Sequence, residues 1–109
     1  MSDAAELRVV LVTAPGVEAA RSLAHALVGA KLVACANLVP GVRSVYRWEG
    51  EVQEDEEVLL VLKTRADRGS ELASRIRELH PYDLPEVVEL PVVGGSAAYL
   101  DWVRVEALP

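Results

Sequence analysis

The chain has 109 residues, of which 51% are hydrophobic and 26% charged, and its 17 acidic and 11 basic side chains give a net charge of −6. This composition excludes a disordered chain, and the acidic balance argues against a nucleic-acid partner because phosphate binding needs a basic surface. One cysteine excludes an internal disulfide and, with no secretory pattern, predicts the reducing cytoplasm; no apolar run approaches the roughly 20 residues that cross a membrane.

The first part of the chain predicts a strand, a helix and a second strand. Leu7–Val12 is a short apolar run typical of a strand. Val17–Val28 carries apolar residues at helical spacing, and Gly29 is the expected C-terminal cap. Leu32–Val39 predicts the second strand, which is followed by a turn or bulge signal at Pro40–Gly41.

The middle of the chain predicts a hairpin and a second helix. Val42–Trp48 is an alternating strand, and Glu49–Glu51 has the composition of a hairpin turn. The return strand starts at Val52 and becomes continuously apolar before Lys63–Thr64. Ala66–His80 then predicts a helix with Asp67 as its cap.

The last part of the chain completes the fold prediction. Glu86–Val93 predicts a strand at a sheet edge, because Pro91 cannot donate to a ladder. Ala97–Glu106 predicts a terminal helix with Ser96 as its cap. We therefore expect a single α+β domain over residues 1–109, with residues 1–6 frayed. Its expected architecture is a ferredoxin-like βαββαβ sandwich with a long central hairpin and a C-terminal helix.

The strands carry more apolar surface than two helices can cover. In a ferredoxin-like sandwich one sheet face has no helices over it, so strands should alternate apolar and polar residues. Val9–Val12, Leu32–Val39 and Val58–Leu62 are instead apolar on both faces. Leaving five such side chains in water forgoes roughly 7–15 kcal/mol, comparable with the stability of a domain. We therefore predict an obligate homo-oligomer in which other copies cover the second face.

The negative charge is concentrated in one segment. Six acids and no base occupy nine residues: Glu49, Glu51, Glu54, Asp55, Glu56 and Glu57. A solvated hairpin turn is the favoured interpretation, and a cation-attracting lobe is the alternative.

Several short motifs follow one another along the chain in a recognisable order. They are Thr13-Ala14-Pro15, Ala34-Cys35-Ala36-Asn37-Leu38-Val39-Pro40-Gly41, Ser44-Val45-Tyr46-Arg47-Trp48-Glu49-Gly50, Lys63-Thr64, Leu79-His80-Pro81-Tyr82, Leu84-Pro85-Glu86, Leu90-Pro91-Val92 and Tyr99-Leu100-Asp101-Trp102. From Leu7 to Val105 the chain resembles the CutA divalent-cation tolerance family. The resemblance implies a cytoplasmic homotrimer similar to the PII trimers, a role in metal-ion tolerance with copper binding, and no catalytic activity.

The resemblance also bears on copper ligands. In some family members a Cys before Thr-Ala-Pro and two adjacent His before Pro-Tyr form a copper site. Here the corresponding residues are Val12, Leu79 and His80, so one of three ligands is retained. We expect no tightly bound cofactor, and Cu²⁺ or another divalent cation as a weakly bound one.

His80 is the best single candidate for a metal ligand, because imidazole binds copper and zinc. The alternative is a helix C-terminal histidine that bonds to the surrounding structure. Cys35 is expected to be a small buried hydrophobe with no neighbouring cation, and His25 to lie on the surface.

A second group of residues lies at predicted strand ends and turns: Tyr46, Trp48, Lys63, Tyr82 and Glu86. They predict either packing between copies or an inter-subunit ligand cleft, with Lys63 as counter-charge and Glu86 as acceptor or metal ligand.

Two functions follow. The first is a trimeric metal-tolerance protein that binds copper weakly through His80 and carboxylates. The alternative is a PII-like trimeric signalling or scaffold protein that takes a small anion or a partner protein at its clefts. An enzyme is the least supported class.

Overall fold

Across residues 5–109, the computed structural model contains one four-stranded sheet, three α-helices and one short 3-10 helix. In chain order the elements are β1 (Leu7–Ala14), α1 (Val17–Gly29), β2 (Cys35–Trp48), β3 (Glu51–Arg65), the 3-10 helix (Ala66–Arg68), α2 (Gly69–Leu79), β4 (Val88–Pro91) and α3 (Ala97–Glu106). The strands are antiparallel in the order β2-β3-β1-β4. This arrangement confirms the predicted α+β fold with βαββαβ order and a C-terminal helix.

The main core lies between α1, α2 and one face of the sheet. Successive strand residues point to opposite faces, so residues two apart share a face. Val10 and Val12 of β1 and Leu60 and Leu62 of β3 are fully buried on the helix-covered face, where Leu27 of α1 joins the same cluster. Each such side chain contributes roughly 1.5–3 kcal/mol on burial, which makes this face the main stabilising layer.

The opposite face is largely open in the single chain. The C-terminal helix α3 covers only one end, where Leu7, Ala34, Val103 and Ala107 are buried together. Six of the large apolar side chains on this face, which the strand register places side by side, define the open face: Leu11, Val39, Leu59, Val61, Val88 and Leu90. These six are exposed or only half-buried. The predicted shortage of cover within one chain is therefore confirmed.

The central hairpin is longer and more continuous than predicted. β2 is one strand from Cys35 to Trp48, because the signal at Pro40–Gly41 is a bulge that shifts the register between Val39 and Val42 and not a turn. Gly41 has φ of +80°, a left-handed conformation that glycine adopts readily. The hairpin turn is at the predicted place. The long hairpin extends the molecule to 51 × 25 × 22 Å.

Two predicted helix ends differ from the structure. Gly29 is the last residue of α1 and not its cap; the chain reverses two residues later, where Lys31 has φ of +60°. The predicted Ala66–His80 helix is divided into the 3-10 helix and α2. Asp67 caps neither of them, because its carboxylate pairs with Arg65 at 2.7 Å.

The other predicted ends are close to those observed. β4 is shorter than the predicted Glu86–Val93, and it lies at the sheet edge as Pro91 requires. The terminal helix has the predicted bounds, and the Ser96 hydroxyl accepts a hydrogen bond from the Tyr99 amide, as expected of a cap. Of the segment expected to fray, residues 1–4 lie outside the described residues. The carbonyls of residues 5 and 6 accept hydrogen bonds from the chain.

Candidate functional site

A cleft of about 800 Å³ lies where the end of β1, the outer half of the β2–β3 hairpin and the segment after α2 meet. Its lining residues are Thr13, Ser44, Val45, Tyr46, Trp48, Glu57, Pro81, Tyr82, Asp83, Leu84, Pro85 and Glu86. Pro81 follows the end of α2 and cannot continue a helix, so the segment 81–86 leaves the helix axis and forms one wall. The cleft is thus built from segments that are distant in the sequence.

His80 fixes this segment to the sheet. Its side chain is only 7% exposed, and Nε2 donates to the Thr13 carbonyl at 2.7 Å. The backbone amide of Tyr82 donates to Nδ1 at 3.1 Å. Because a carbonyl can only accept, Nε2 carries the proton and the ring is the neutral tautomer. Both ring nitrogens are therefore used within the chain, and a metal ion on His80 would have to displace one of these bonds.

Tyr82 connects the segment to the hairpin. Its hydroxyl donates to the Glu57 carboxylate at 2.9 Å, and its ring lies 4.8 Å from the imidazole of His80, centroid to centroid. Burial, and then the hydrogen bond to Glu57, raise the pKa of Tyr82 to about 12. The Tyr82 hydroxyl therefore stays protonated, as a donor to Glu57.

Tyr46 and Trp48 form the hairpin side of the cleft. The strand alternation places both on one face of β2, and the Tyr46 hydroxyl donates to the Asp55 carboxylate of β3. This hydrogen bond is the main cause of the raised pKa of Tyr46. Trp48 is 47% exposed although it lines the cleft, so a large apolar surface is left in contact with solvent.

The charges around the cleft are all negative. Glu57, Asp83 and Glu86 line it, and no basic residue is among the described residues that do. Burial, and then the proximity of Glu57, raise the pKa of Glu86, as expected for carboxylates that repel one another. The cleft therefore favours a cation over an anion.

Lys63 does not belong to this site, contrary to the prediction. It is six residues from Glu57 along β3, which is about 20 Å at the rise of an extended strand. Its ammonium group instead donates to the Asn37 side chain and lies 3.9 Å from the Cys35 sulfur. Cys35 is half-buried, and the expectation that it has no neighbouring cation is wrong, because Lys63 is its partner across the two strands. His25 is exposed, as predicted.

Four of the five predicted cleft residues therefore come together, and one important residue was missed. Glu57 is only 7% exposed, whereas its neighbours in the acidic run face solvent. Its position directly before the apolar run that starts at Val58 was the available signal, because a residue there borders the core. The sequence does not show that Tyr82 reaches it from 25 residues away.

The comparisons with known proteins identify the family. A sequence model described as the CutA1 divalent ion tolerance protein matches residues 8–106. The chain belongs to this family. The description of this family names tolerance of divalent ions.

Relatives of the CutA1 family match over most of the chain. A divalent-cation tolerance protein CutA from Thermus thermophilus is 52% identical over 96 residues, which are 88% of this chain and 93% of that protein. A chloroplastic protein CutA from Arabidopsis thaliana is 50% identical over the same share of this chain and 53% of its own length. The crystal structure of CutA1 from Oryza sativa superposes with a TM-score of 0.93 at 44% identity and covers 95% of each chain.

A ready metal site is absent from the described residues of this CutA1 family member. Nowhere in residues 5–109 do three His, Cys, Asp or Glu side chains lie close enough together to hold a metal ion. Nor does this part of the chain contain a helix that is both long and apolar enough to span a bilayer.

Proposed function

We propose that the chain acts in divalent-cation tolerance as a homotrimer that binds Cu²⁺ or another divalent cation weakly at its clefts. Family membership supports the role, and the acidic lining of the cleft supports the location. Glu86 and Glu57 repel each other, and a cation between or beside them relieves that repulsion. Carboxylate oxygens bind most divalent ions, and Cu²⁺ is bound most strongly among them by a given set of ligands.

The open face supports the assembly. A second copy laid on it would remove Val88, Leu90 and their neighbours from water, at roughly 25 cal/mol for each Å² of apolar area. Closed symmetry is the usual outcome for such self-contacts, and the family resemblance implies three copies. The assembly would also bring metal-ligating side chains from several copies close to one another.

A charge placed on the open face tests the assembly. Val88 and Val28 have similar exposure, 45% and 41%, but Val88 belongs to the open face and Val28 to α1. We expect the wild type to sediment at three times the chain mass of 11.8 kDa, Val88→Glu to dissociate, and Val28→Glu to remain assembled. Sedimentation of the dilute wild type as a folded single chain would contradict the proposal.

Equilibrium dialysis against Cu²⁺ tests the metal. Glu86→Gln removes a cleft carboxylate, and Glu18→Gln is the matched control on α1. We expect weaker binding for Glu86→Gln and unchanged binding for Glu18→Gln. Negligible binding by the wild type, or equal loss in both variants, would refute a metal at the cleft.

The remaining elements of the proposal are the compartment and the ligand class. The single cysteine supports a cytoplasmic location, and immunoblotting of cell fractions tests it. The PII-like alternative with a small anion loses its support, because Lys63 lies outside the cleft and the lining is acidic. The acidic cleft is compatible with the other part of this alternative, a partner protein, when the contacting surface of that partner is basic.

A further inference from the structure

We propose that the cleft binds a small organic cation whose charged end is an alkylguanidinium or primary alkylammonium group. Three aromatic side chains and two carboxylates recognise it: Tyr46, Trp48, Tyr82, Glu57 and Glu86. The proposal goes beyond divalent-cation tolerance, because it uses the same cleft but does not require the metal.

The first argument is uncompensated charge. Glu57 is nine-tenths buried, and its partner is the neutral hydroxyl of Tyr82. In the described part of the chain, neither Glu57 nor Glu86 forms a salt bridge. A buried carboxylate is normally paired with a cation or a set of donors. The cleft therefore contains negative charge that a cationic ligand would neutralise.

The second argument is the aromatic lining. The hydroxyls of Tyr46 and Tyr82 already donate to Asp55 and Glu57, so their rings and not their hydroxyl protons are left for a ligand. Trp48, the best cation–π partner among the side chains, lines the same cleft and is half exposed. Aromatic rings combined with carboxylates are typical of sites for organic cations.

The third argument separates an organic cation from a metal ion. A metal ion gains little from aromatic walls and is normally held by three or four ligand groups, and residues 5–109 bring no three His, Cys, Asp or Glu side chains together. A guanidinium group is weakly hydrated, stacks on aromatic rings and donates two parallel hydrogen bonds to one carboxylate. A cleft of about 800 Å³ is within the range of pockets that take small molecules.

Calorimetric titration of the 109-residue chain with n-butylguanidinium tests the proposal. The matched ligand is n-butylurea, which has the same planar shape without the charge. Trp48→Leu removes the aromatic ring from the cleft, and Glu86→Gln removes a negative charge. The controls are Glu18→Gln and Trp102→Leu; Trp102 is exposed and lies outside the cleft. Sedimentation of each variant checks that the substitution leaves its assembly unchanged.

We expect n-butylguanidinium to bind the wild type at least tenfold more tightly than n-butylurea. Trp48→Leu and Glu86→Gln should each weaken binding about five- to tenfold, while both controls leave it unchanged. Equal binding of the two ligands, or no binding by the wild type because a neighbouring copy fills the cleft, would overturn the proposal. Dialysis against Cu²⁺ separates the two ideas: Trp48→Leu should keep metal binding while losing guanidinium binding.

Discussion

Replacement of His80 by phenylalanine tests whether this histidine stabilises the fold or holds a metal. The imidazole is buried and makes two hydrogen bonds, from Nε2 to the Thr13 carbonyl and from the Tyr82 amide to Nδ1. Phenylalanine keeps a planar ring, slightly larger than imidazole, at this position, so the change removes polar contacts without creating a cavity. We therefore attribute the expected effect to the two hydrogen bonds.

The expected loss in the free energy of unfolding follows from the hydrogen-bonding groups that His80→Phe leaves unpaired. A hydrogen bond contributes about 1 kcal/mol net, and a buried donor or acceptor without a partner costs about 1–3 kcal/mol. Both the Thr13 carbonyl and the Tyr82 amide lose their partner, so His80→Phe should lower the free energy of unfolding by about 2–4 kcal/mol. For a domain of this size that loss corresponds to a decrease in Tm of roughly 10–20 °C.

Urea unfolding at a fixed protein concentration measures the effect, since assembly makes stability depend on concentration. His80→Gln is the matched variant, because a side-chain amide can also both donate and accept hydrogen bonds, and we expect it to recover part of the loss. His25→Gln, on the exposed side of α1, should change stability by less than about 0.5 kcal/mol. Unchanged stability of His80→Phe together with lost Cu²⁺ binding would refute the structural role.

Three further predictions concern the cleft, the assembly and the core. Because the pKa of Tyr82 in the folded chain, about 12, lies above its ordinary value of 10.0, its contribution to stability is full below pH 10 and is lost as the pH rises through 12. Tyr82→Phe should therefore flatten the alkaline decrease in stability that urea unfolding records for the wild type, and identical pH profiles would contradict this assignment. Because the Trp48 ring lines the cleft and is 47% exposed, Trp48→Ala should leave the mass on sedimentation unchanged; dissociation with a loss of about 3–5 kcal/mol would show that copies bury the ring instead. Thr64→Val leaves the buried carbonyl of Leu32 without the hydroxyl that lies 2.6 Å away, so unfolding measurements should record a loss of about 1–2 kcal/mol.

The sequence alone predicted the order of elements, the excess of apolar sheet surface and the terminal helix. These features depend on short stretches of sequence. Apolar spacing marks α1, Ser96 marks the start of α3, and Pro91 restricts its strand to an edge. The open apolar face was equally visible, because strand residues of both parities are apolar around Leu60. Aromatic residues at predicted strand ends and turns also pointed to Tyr46 and Tyr82, which line the same cleft.

The tertiary structure decided which of these side chains meet. Lys63 and Glu57 belong to the same strand, but the register places one beside Cys35 and the other in the cleft. The two bonds of His80 join residues 67 apart and two apart, and only the packed fold creates the longer one. Periodicity is a property of neighbouring residues, whereas the charge, burial and protonation of a site depend on segments that only long-range packing brings into contact. That difference explains why the fold was predictable from the sequence and the acidic character of the cleft was not.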